Sequence, residues 1–575
     1  MSKKKISEVI IETLVAAGVK RIYGITGDSL MSISDAVRSN SAIEWMHLRH
    51  EETAAFAAGA EAQLTGTLTV CAGSCGPGNL HLINGLYDCQ RSRVPVLAIA
   101  AHVPSREVGT AYFQETHPEQ LFKECSHYCE LVSQPEQMPQ ILEIAMRTAI
   151  EKRGVAVIII SGDIALKECA AVLKSFSMAQ TEAIIRPSDK EIKKAAELLN
   201  NASKVTVLGG IGCKNAHKEL IQVATKLQAP IVHTLRGKEW IEYDNTFDVG
   251  MTGLLGFSSG YHAMMDSDVL LVLGADFPYR QFYPAHAKII QVDIRGEQIG
   301  RRSNVELALV GDVRETLAVL LGELKNKKDR THLDASLQHY TKTRQELDEL
   351  AMSKEGHTPI HPQFLAKTID ELAAENAIFT CDVGTPTLWA ARYLKMNGQR
   401  RLLGSFVHGS MASALPQAIG AQSAQFNRQV IALCGDGGLA MLLGDILSLK
   451  QLNLPVKIII FNNNSLGFVE LEMKAAGLLD YATDLDNPDF AKIAEACGLL
   501  GLRAEKPEEL SPMIKQLLNH QGPALLDVSV NRQELSLPPT ITKEEFIGFD
   551  LFLIKAVLNG RGDEIVDLAK TNLFR

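Results

Sequence analysis

The sequence predicts an α/β protein: three successive parallel-sheet units, then an amphipathic C-terminal tail. Three observations carry this. Short aliphatic and β-branched runs alternate with helical patterns over most of the chain. The runs are apolar throughout, which suits strands covered by helices on both faces. The alternation pauses twice, so it divides into three units. A length of 575 residues agrees, since at about 150 residues per domain it holds three to four domains.

The first unit, 1–182, contributes KRIYGIT, TLTVCAG, VPVLAIAA and VAVIII. The second, 183–335, contributes KVTVLGG, APIVHTL, VLLVLGA, KIIQVDI and LALVGD. The third, 336–531, contributes AIFTCDVG, RLLGSF, QVIALCGD, VKIIIFNN and ALLDVSV. Residues 168–188 lack a clear period, and 323–362 turn charged and helical. Past residue 531 the strand pattern stops, and Leu537-Pro538-Pro539 opens a tail, 532–575. There Phe546, Phe549, Leu553 and Ala556 recur at helical spacing, widened by Phe552, Ile554 and Val557. Such a face suits a bilayer surface or the protein's own flank. Acids match the tail's Lys543, Lys555, Arg561, Lys570 and Arg575, so attraction to anionic lipid alone does not explain it.

Composition narrows the function. Hydrophobic residues make up 46% and charged residues 22%, which excludes a mainly disordered or collagen-like chain. A net charge of −9 argues against a general nucleic-acid binder. The 10 cysteines contain no Cys-x-x-Cys. The pairs Cys71/Cys75 and Cys125/Cys129, the latter around His127, suit buried thiols in a reduced cytoplasm better than a metal site. After the basic start Lys3-Lys4-Lys5, Glu8 and Glu12 interrupt the apolar stretch, giving an amphipathic helix and not an export signal. No run approaches the roughly 18 apolar residues of a membrane span.

The sharpest local signal is QVIALCGDGGLAMLLGD followed by VKIIIFNNNSLGF. A buried strand ends at Cys434, and Gly435-Asp436-Gly437-Gly438 opens a helix. Glycines let backbone N–H groups approach phosphate oxygens, and a helix start favours anions. Asp436 offers a hard carboxylate, and Asn462 and Asn463 end the next strand at the same sheet edge. Magnesium takes oxygen ligands and shares them with phosphates. A plain Gly-Asp turn explains the first element alone. It does not explain the pairing with Asn463 one helix and one strand later.

That pairing resembles the thiamin diphosphate motif, and further segments match enzymes of that family. WMHLRHEETAAFAAGAEAQLTG carries Glu51, CAGSCGPGNLHLINGL carries the turn Gly76-Pro77-Gly78-Asn79, and GSFVHGSMASALPQAIGA carries Gly409, Ser410 and Met411. The resemblance implies that Glu51 bonds N1′ of the aminopyrimidine and promotes loss of the C2 proton. It implies that Met411 props the coenzyme into a bent form and that the Gly409 carbonyl accepts from its 4′-amine. It also implies Mg2+ on Asp436, Asn463 and Ser465, with Gly437, Gly438, Asn464, Leu466, Gly467, Phe468 and Val469 around the coenzyme. Standing alone, Glu51 reads equally as a solvated helix-start acid and Met411 as core filler.

The middle unit separates branches of that family. KVTVLGGIGCKNA departs from G-x-G-x-x-G, with Asn215 where the last glycine would stand. Asp293 ends the strand KIIQVDI, where it suits a turn cap or a ribose hydroxyl equally. RHEETAAFAAGAEAQLTG, CAGSCGPGNLHLINGLYDC, YFQETHPEQLFKECSHYCELV, LRGKEWIEYDNTFDVGMTGLLGFSSG and DVGTPTLWAARYLKMNG resemble bacterial pyruvate oxidases. More narrowly, they resemble the quinone-dependent pyruvate dehydrogenases that make acetate. The resemblance implies three consecutive Rossmann-like domains: pyrimidine-binding, FAD-binding and diphosphate-binding. It implies FAD on Thr252, Gly253, Leu254, Leu255, Ala275, Asp276, Phe277, Pro278, Tyr279 and Asp293. Phe113, Gln114, Phe468 and Glu472 then fall on the substrate side.

By the same resemblance the protein is a homotetramer that oxidises pyruvate to acetate and passes electrons to ubiquinone. Its tail covers the site at rest and binds phospholipid on the cytoplasmic face of the inner membrane. The paired histidines of simple 2-keto acid decarboxylases are missing near Phe113-Gln114. The competing readings are a carboligase resembling acetolactate synthase, an oxidase using dioxygen, and an inert scaffold.

Overall fold

The chain begins with β1 (Lys4–Lys5), paired antiparallel with β8 (Glu168–Cys169). Between them lie β2 (Arg21–Gly24), β3 (Glu44–His47), β4 (Thr69–Gly73), β5 (Val96–His102), β6 (Tyr128–Val132) and β7 (Val155–Ser161). They form a parallel sheet in the order β3-β2-β4-β5-β7-β6. This computed structural model describes residues 4–169, 183–352, 358–535, 543–559 and 561–573.

The middle lobe contains β9 (Val205–Gly209), β10 (Ile231–His233), β11 (Asp248–Met251), β12 (Val269–Leu273), β13 (Lys288–Asp293) and β14 (Leu307–Val310). Their parallel order is β11-β10-β9-β12-β13-β14. The third lobe contains β15 (Ile378–Cys381), β16 (Arg401–Gly404), β17 (Val430–Gly435), β18 (Lys457–Asn462), β19 (Leu500–Ala504) and β20 (Ala524–Ser529). It runs β16-β15-β17-β18-β20-β19, the same threading as the first lobe. Thus the α/β architecture of three parallel sheets is as the sequence predicts, with six strands in each where the apolar runs gave four, five and five. The central strands are sealed: every residue of β5 (VLAIAAH) and β7 (VAVIIIS) is buried. The strands that no apolar run contained, β3, β6, β11 and β19, all lie at sheet edges.

A helix pair packs the first lobe on the third. Helix Glu51–Thr65 (EETAAFAAGAEAQLT) lies on helix Ala414–Ala424 (ALPQAIGAQSA). Small side chains allow the backbones to approach: a Cβ on Gly420 would collide with the Ala57 carbonyl. Their alanines join both sheets in one apolar core, from Tyr23 and Cys71 to Ile458 and Phe490. Such contacts leave no room for an added methyl, which in a packed core costs about 1–3 kcal/mol.

The tail forms helices Lys543–Leu558 and Gly562–Leu573. The first lies on helix Gly467–Ala475, with Phe552 and Ala556 fully buried and Lys555 Nζ donating to the Gly477 carbonyl at 2.7 Å. Ionic contacts reinforce it: Lys474 Nζ lies 2.8 Å from Glu564 Oε1, and Arg561 meets Asp480. The expected apolar stripe is therefore split. Phe552 and Ala556 face the protein, whereas Ile554 and Val557 face outward, as do Ile547, Leu551 and Leu558 outside that stripe. The side chain of Phe546 lies outside the described set.

Candidate active site

In doubly wound sheets, groups converge beyond the carboxyl ends where the strand order reverses. In the third lobe that point falls between β15 and β17. Asp382 follows β15, and its carboxylate accepts backbone N–H groups of Ala414 at 2.9 Å and Gly435 at 3.2 Å. Burial pushes its pKa up to about 7. Gly438 sits directly above: any Cβ there would strike Asp382 Oδ2. Only glycine lets the 435–438 turn descend onto that carboxylate.

Asp436 leads helix Asp436–Met441 and is buried. Burial raises its pKa, offset in part by hydrogen bonds from Gly437 and Asn487. A single amide nitrogen, Asn487 Nδ2, lies 2.8 Å from Asp436 Oδ2, 3.2 Å from Asn462 Oδ1 and 3.1 Å from Asn464 Oδ1. These converging oxygens are the donor type a hard cation takes. Asn463 Oδ1 accepts from the Ser465 N–H at 3.1 Å. The Ser465 hydroxyl is committed to Glu470 at 2.6 Å, which leaves its carbonyl for a metal. A Cβ on Gly437 would meet Leu485, Leu466 and Met411 at 3.1, 3.2 and 3.4 Å, so Met411 does lie over the turn. Gly409 has φ +87, and nothing lies within 4 Å of where its Cβ would be. A left-handed glycine facing open space next to Met411 fits a ligand. A buried carboxylate held above its usual pKa fits a divalent ion.

In the first lobe, Glu51 starts its helix and is 6% exposed. His81 Nδ1 lies 2.9 Å from Glu51 Oε2. Gly78 permits close approach, since a Cβ there would sit 3.0 Å from Glu51 Oε1. Phe113 and Gln114 lie beside the Gly76 turn. Gln114 takes φ 63, Cys75 Sγ lies 3.5 Å from its Oε1, and Phe113 is 77% exposed.

In the middle lobe, the loop after β11 carries Thr252 to Leu255. The buried Thr252 Oγ1 has no hydrogen-bond partner among the described residues, and Gly253 takes φ +100 against the Phe277 ring. An orphaned hydroxyl in a strained loop fits a polar ligand atom such as a flavin offers. Asp293 Oδ1 accepts from the Arg295 N–H at 2.9 Å, so it does cap its turn. Asp276 lies 3.8 Å from both Arg295 and Arg302. Ala275 is buried against Gly210, and Pro278 is exposed. Burial raises the Tyr279 phenol, and the Glu472 carboxylate adds to it. Phe468, Val469 and Glu472 lie on helix Gly467–Ala475 of the third lobe.

Sequence reasoning missed several residues that hold these groups. Asp382 carried a legible signal, an acid at the end of the run AIFTC. Asn487 sits in an acidic loop with no pattern. Arg392, whose pKa burial lowers to about 10, donates to the Leu255 carbonyl at 3.2 Å and the Gly256 carbonyl at 3.4 Å. It thus pins the 252–256 loop to the third lobe.

Comparison with known proteins agrees with this geometry. Residues 4–121 match the N-terminal TPP binding domain of thiamine pyrophosphate enzymes, 192–320 their central domain, and 382–528 their C-terminal TPP binding domain. A putative thiamine pyrophosphate-containing protein YdaP of Bacillus subtilis is 37% identical over 99% of both chains. A pyruvate oxidase of Lactiplantibacillus plantarum is 30% identical over 91% of this chain and 88% of its own. A chloroplastic acetolactate synthase of Nicotiana tabacum is also 30% identical, over 93% of this chain and 83% of its own. The chain belongs to the thiamine pyrophosphate (thiamin diphosphate) enzyme family, a family of enzymes.

Proposed function

We propose that the protein oxidatively decarboxylates pyruvate to acetate and CO2, using thiamin diphosphate, Mg2+ and FAD, and passes two electrons to ubiquinone. One observation carries the redox part. Arg392 pins the loop around Thr252 to the lobe that bears Asp436. A coenzyme site and a flavin site would then share one wall. The pyruvate oxidase relative supports pyruvate as substrate.

When bound, thiamin diphosphate supplies a nucleophilic carbon and an electron sink, and FAD supplies a two-electron acceptor. Asp436, Asn463 and the Ser465 carbonyl would hold Mg2+, and the N–H groups of Gly437 and Gly438 would face phosphate. Glu51 would hold the proton at pyrimidine N1′ in a site dried by its burial. Gln114 and Glu472 would orient the keto acid, with Phe113 and Phe468 beside it. Thr252 and Asp276 would bond the flavin, with Asp293 holding the turn beside it.

No helix among the described residues is long and apolar enough to cross a membrane. We propose a surface association with phospholipid, on the cytoplasmic face of the inner membrane; the outward residues Ile547, Leu551, Ile554 and Leu558 offer it an apolar face. Deleting residues 553–575 is expected to remove lipid activation and spare dye-coupled turnover. Unchanged vesicle binding by that truncation would contradict the assignment. We propose a homotetramer as the working assembly, checked by sedimentation.

The deciding experiment adds pyruvate anaerobically to the purified holoenzyme. Rapid bleaching of the flavin band with acetate formation is expected. Acetolactate without bleaching would move the assignment to a carboligase, the reading that the acetolactate synthase relative favours.

A further inference from the structure

Helix Pro77–Ser92 presents His81, Asn84 and Asp88 at the spacing of one helical face. Each bonds a different part of the site. His81 reaches the Glu51 carboxylate. Asn84 engages all its polar atoms: Nδ2 donates to Glu52 Oε1 at 2.8 Å and Ser410 Oγ at 2.9 Å, and Oδ1 lies 2.8 Å from His408 Nε2. Asp88 accepts from Ser405 Oγ at 2.8 Å, and that oxygen accepts the Ser410 N–H at 3.1 Å. Tyr87 stacks on His408 with ring centroids 5.6 Å apart.

The 405–411 turn therefore belongs to the third lobe in sequence but is suspended from a first-lobe helix. It needs suspending. Gly409 is left-handed, and nothing adjoins its Cβ position. Both Ser410 groups, the hydroxyl and the N–H, are fixed by the stripe, directly by Asn84 and through Ser405 by Asp88. Neither Asn84 nor its partners touch Asp436 or Asn463 in any hydrogen bond.

We propose that Asn84 is a positioning residue for the pyrimidine end of the coenzyme, locking the Gly409–Met411 turn to the helix whose His81 bonds Glu51. This rests on the thiamin diphosphate reading above. If so, losing Asn84 harms recognition of the pyrimidine and leaves the diphosphate anchor intact. A residue that merely glued two lobes together would harm both alike.

Calorimetry on the parent, Asn84→Ala, Ser410→Ala and the double variant separates these, using thiamin diphosphate with Mg2+ and inorganic pyrophosphate with Mg2+. Asn84→Ala is expected to weaken thiamin diphosphate by about ten-fold, the worth of a lost hydrogen bond, and pyrophosphate hardly at all. The double variant is expected to bind no worse than the weaker single one, because both remove one link. Equal losses for both ligands, or full additivity, would overturn the proposal. If Asn84→Ala does not fold, Ser410→Ala alone must show the same selective loss, and its absence overturns the proposal. A parent that bound pyrophosphate but not thiamin diphosphate would instead remove the reading beneath it, and the proposal with it.

Discussion

The first and third lobes thread their six strands identically, yet use the same corner of the sheet differently. In the third lobe the corner between β15 and β17 holds two buried carboxylates, Asp382 and Asp436, under a glycine turn. In the first lobe the equivalent corner, between β2 and β4, is shut. A Cβ on Gly27 would lie 2.8 Å from Ser74 Cβ, and the Cys75 N–H donates to Ser29 Oγ at 3.1 Å. That lobe takes its carboxylate, Glu51, from the helix after the edge strand β3. Threading makes a corner where groups converge, and side chains decide whether it becomes a site. Converging oxygens at a strand end suit a cation. A lone buried carboxylate beside an imidazole suits a proton.

That division of labour can be broken from either side. The largest effect is expected from Glu51→Gln: turnover with pyruvate falls about 10²–10⁴-fold, the range for a lost proton-transfer group, while Mg2+-dependent coenzyme binding survives. Steady-state rates beside a binding isotherm check both halves. Asp436→Ala is expected to do the reverse, costing roughly a hundred-fold in affinity for Mg2+ and coenzyme by titration. Asn487→Ala, which removes an outer partner of that carboxylate, is expected to cost about ten-fold in Mg2+ affinity.

The smallest effect is one of pH. Burial raises the Asp436 pKa in the cation-free protein, so a proton competes with the cation for this carboxylate at a higher pH than for an ordinary aspartate. The cation requires the ionised form. Mg2+ affinity should therefore be full at higher pH and fall as pH drops through that raised value. Affinity that falls only below the ordinary aspartate range would remove Asp436 from the metal set.

How much of this could be read beforehand depends on local pattern. Central strands such as VAVIII are buried on both faces and spell themselves out. EWMH, YCELV and LGLRA are edge strands with a free side, so they carry charge and hide. DVGM is short and contains a glycine. Asp436 and Asn463 were legible because glycines and an asparagine pair mark their turns, and Glu51 because family-like segments surround it. Asn84, Arg392 and Asn487 were not. Their partners Ser410, Leu255 and Asp436 lie far along the chain, and no period links them. The tail stripe was half legible: helical spacing located the helix but not the face that Phe552 would bury.

Exchange of the coenzyme C2 proton for deuterium, followed by quenched-flow NMR on the parent and on Glu51→Gln loaded with thiamin diphosphate and Mg2+, separates anchoring from activation most directly. Fast exchange in the parent and exchange slowed by orders of magnitude in a fully loaded Glu51→Gln protein is the expected result. Parent-like exchange in that variant would contradict the role given to the first lobe.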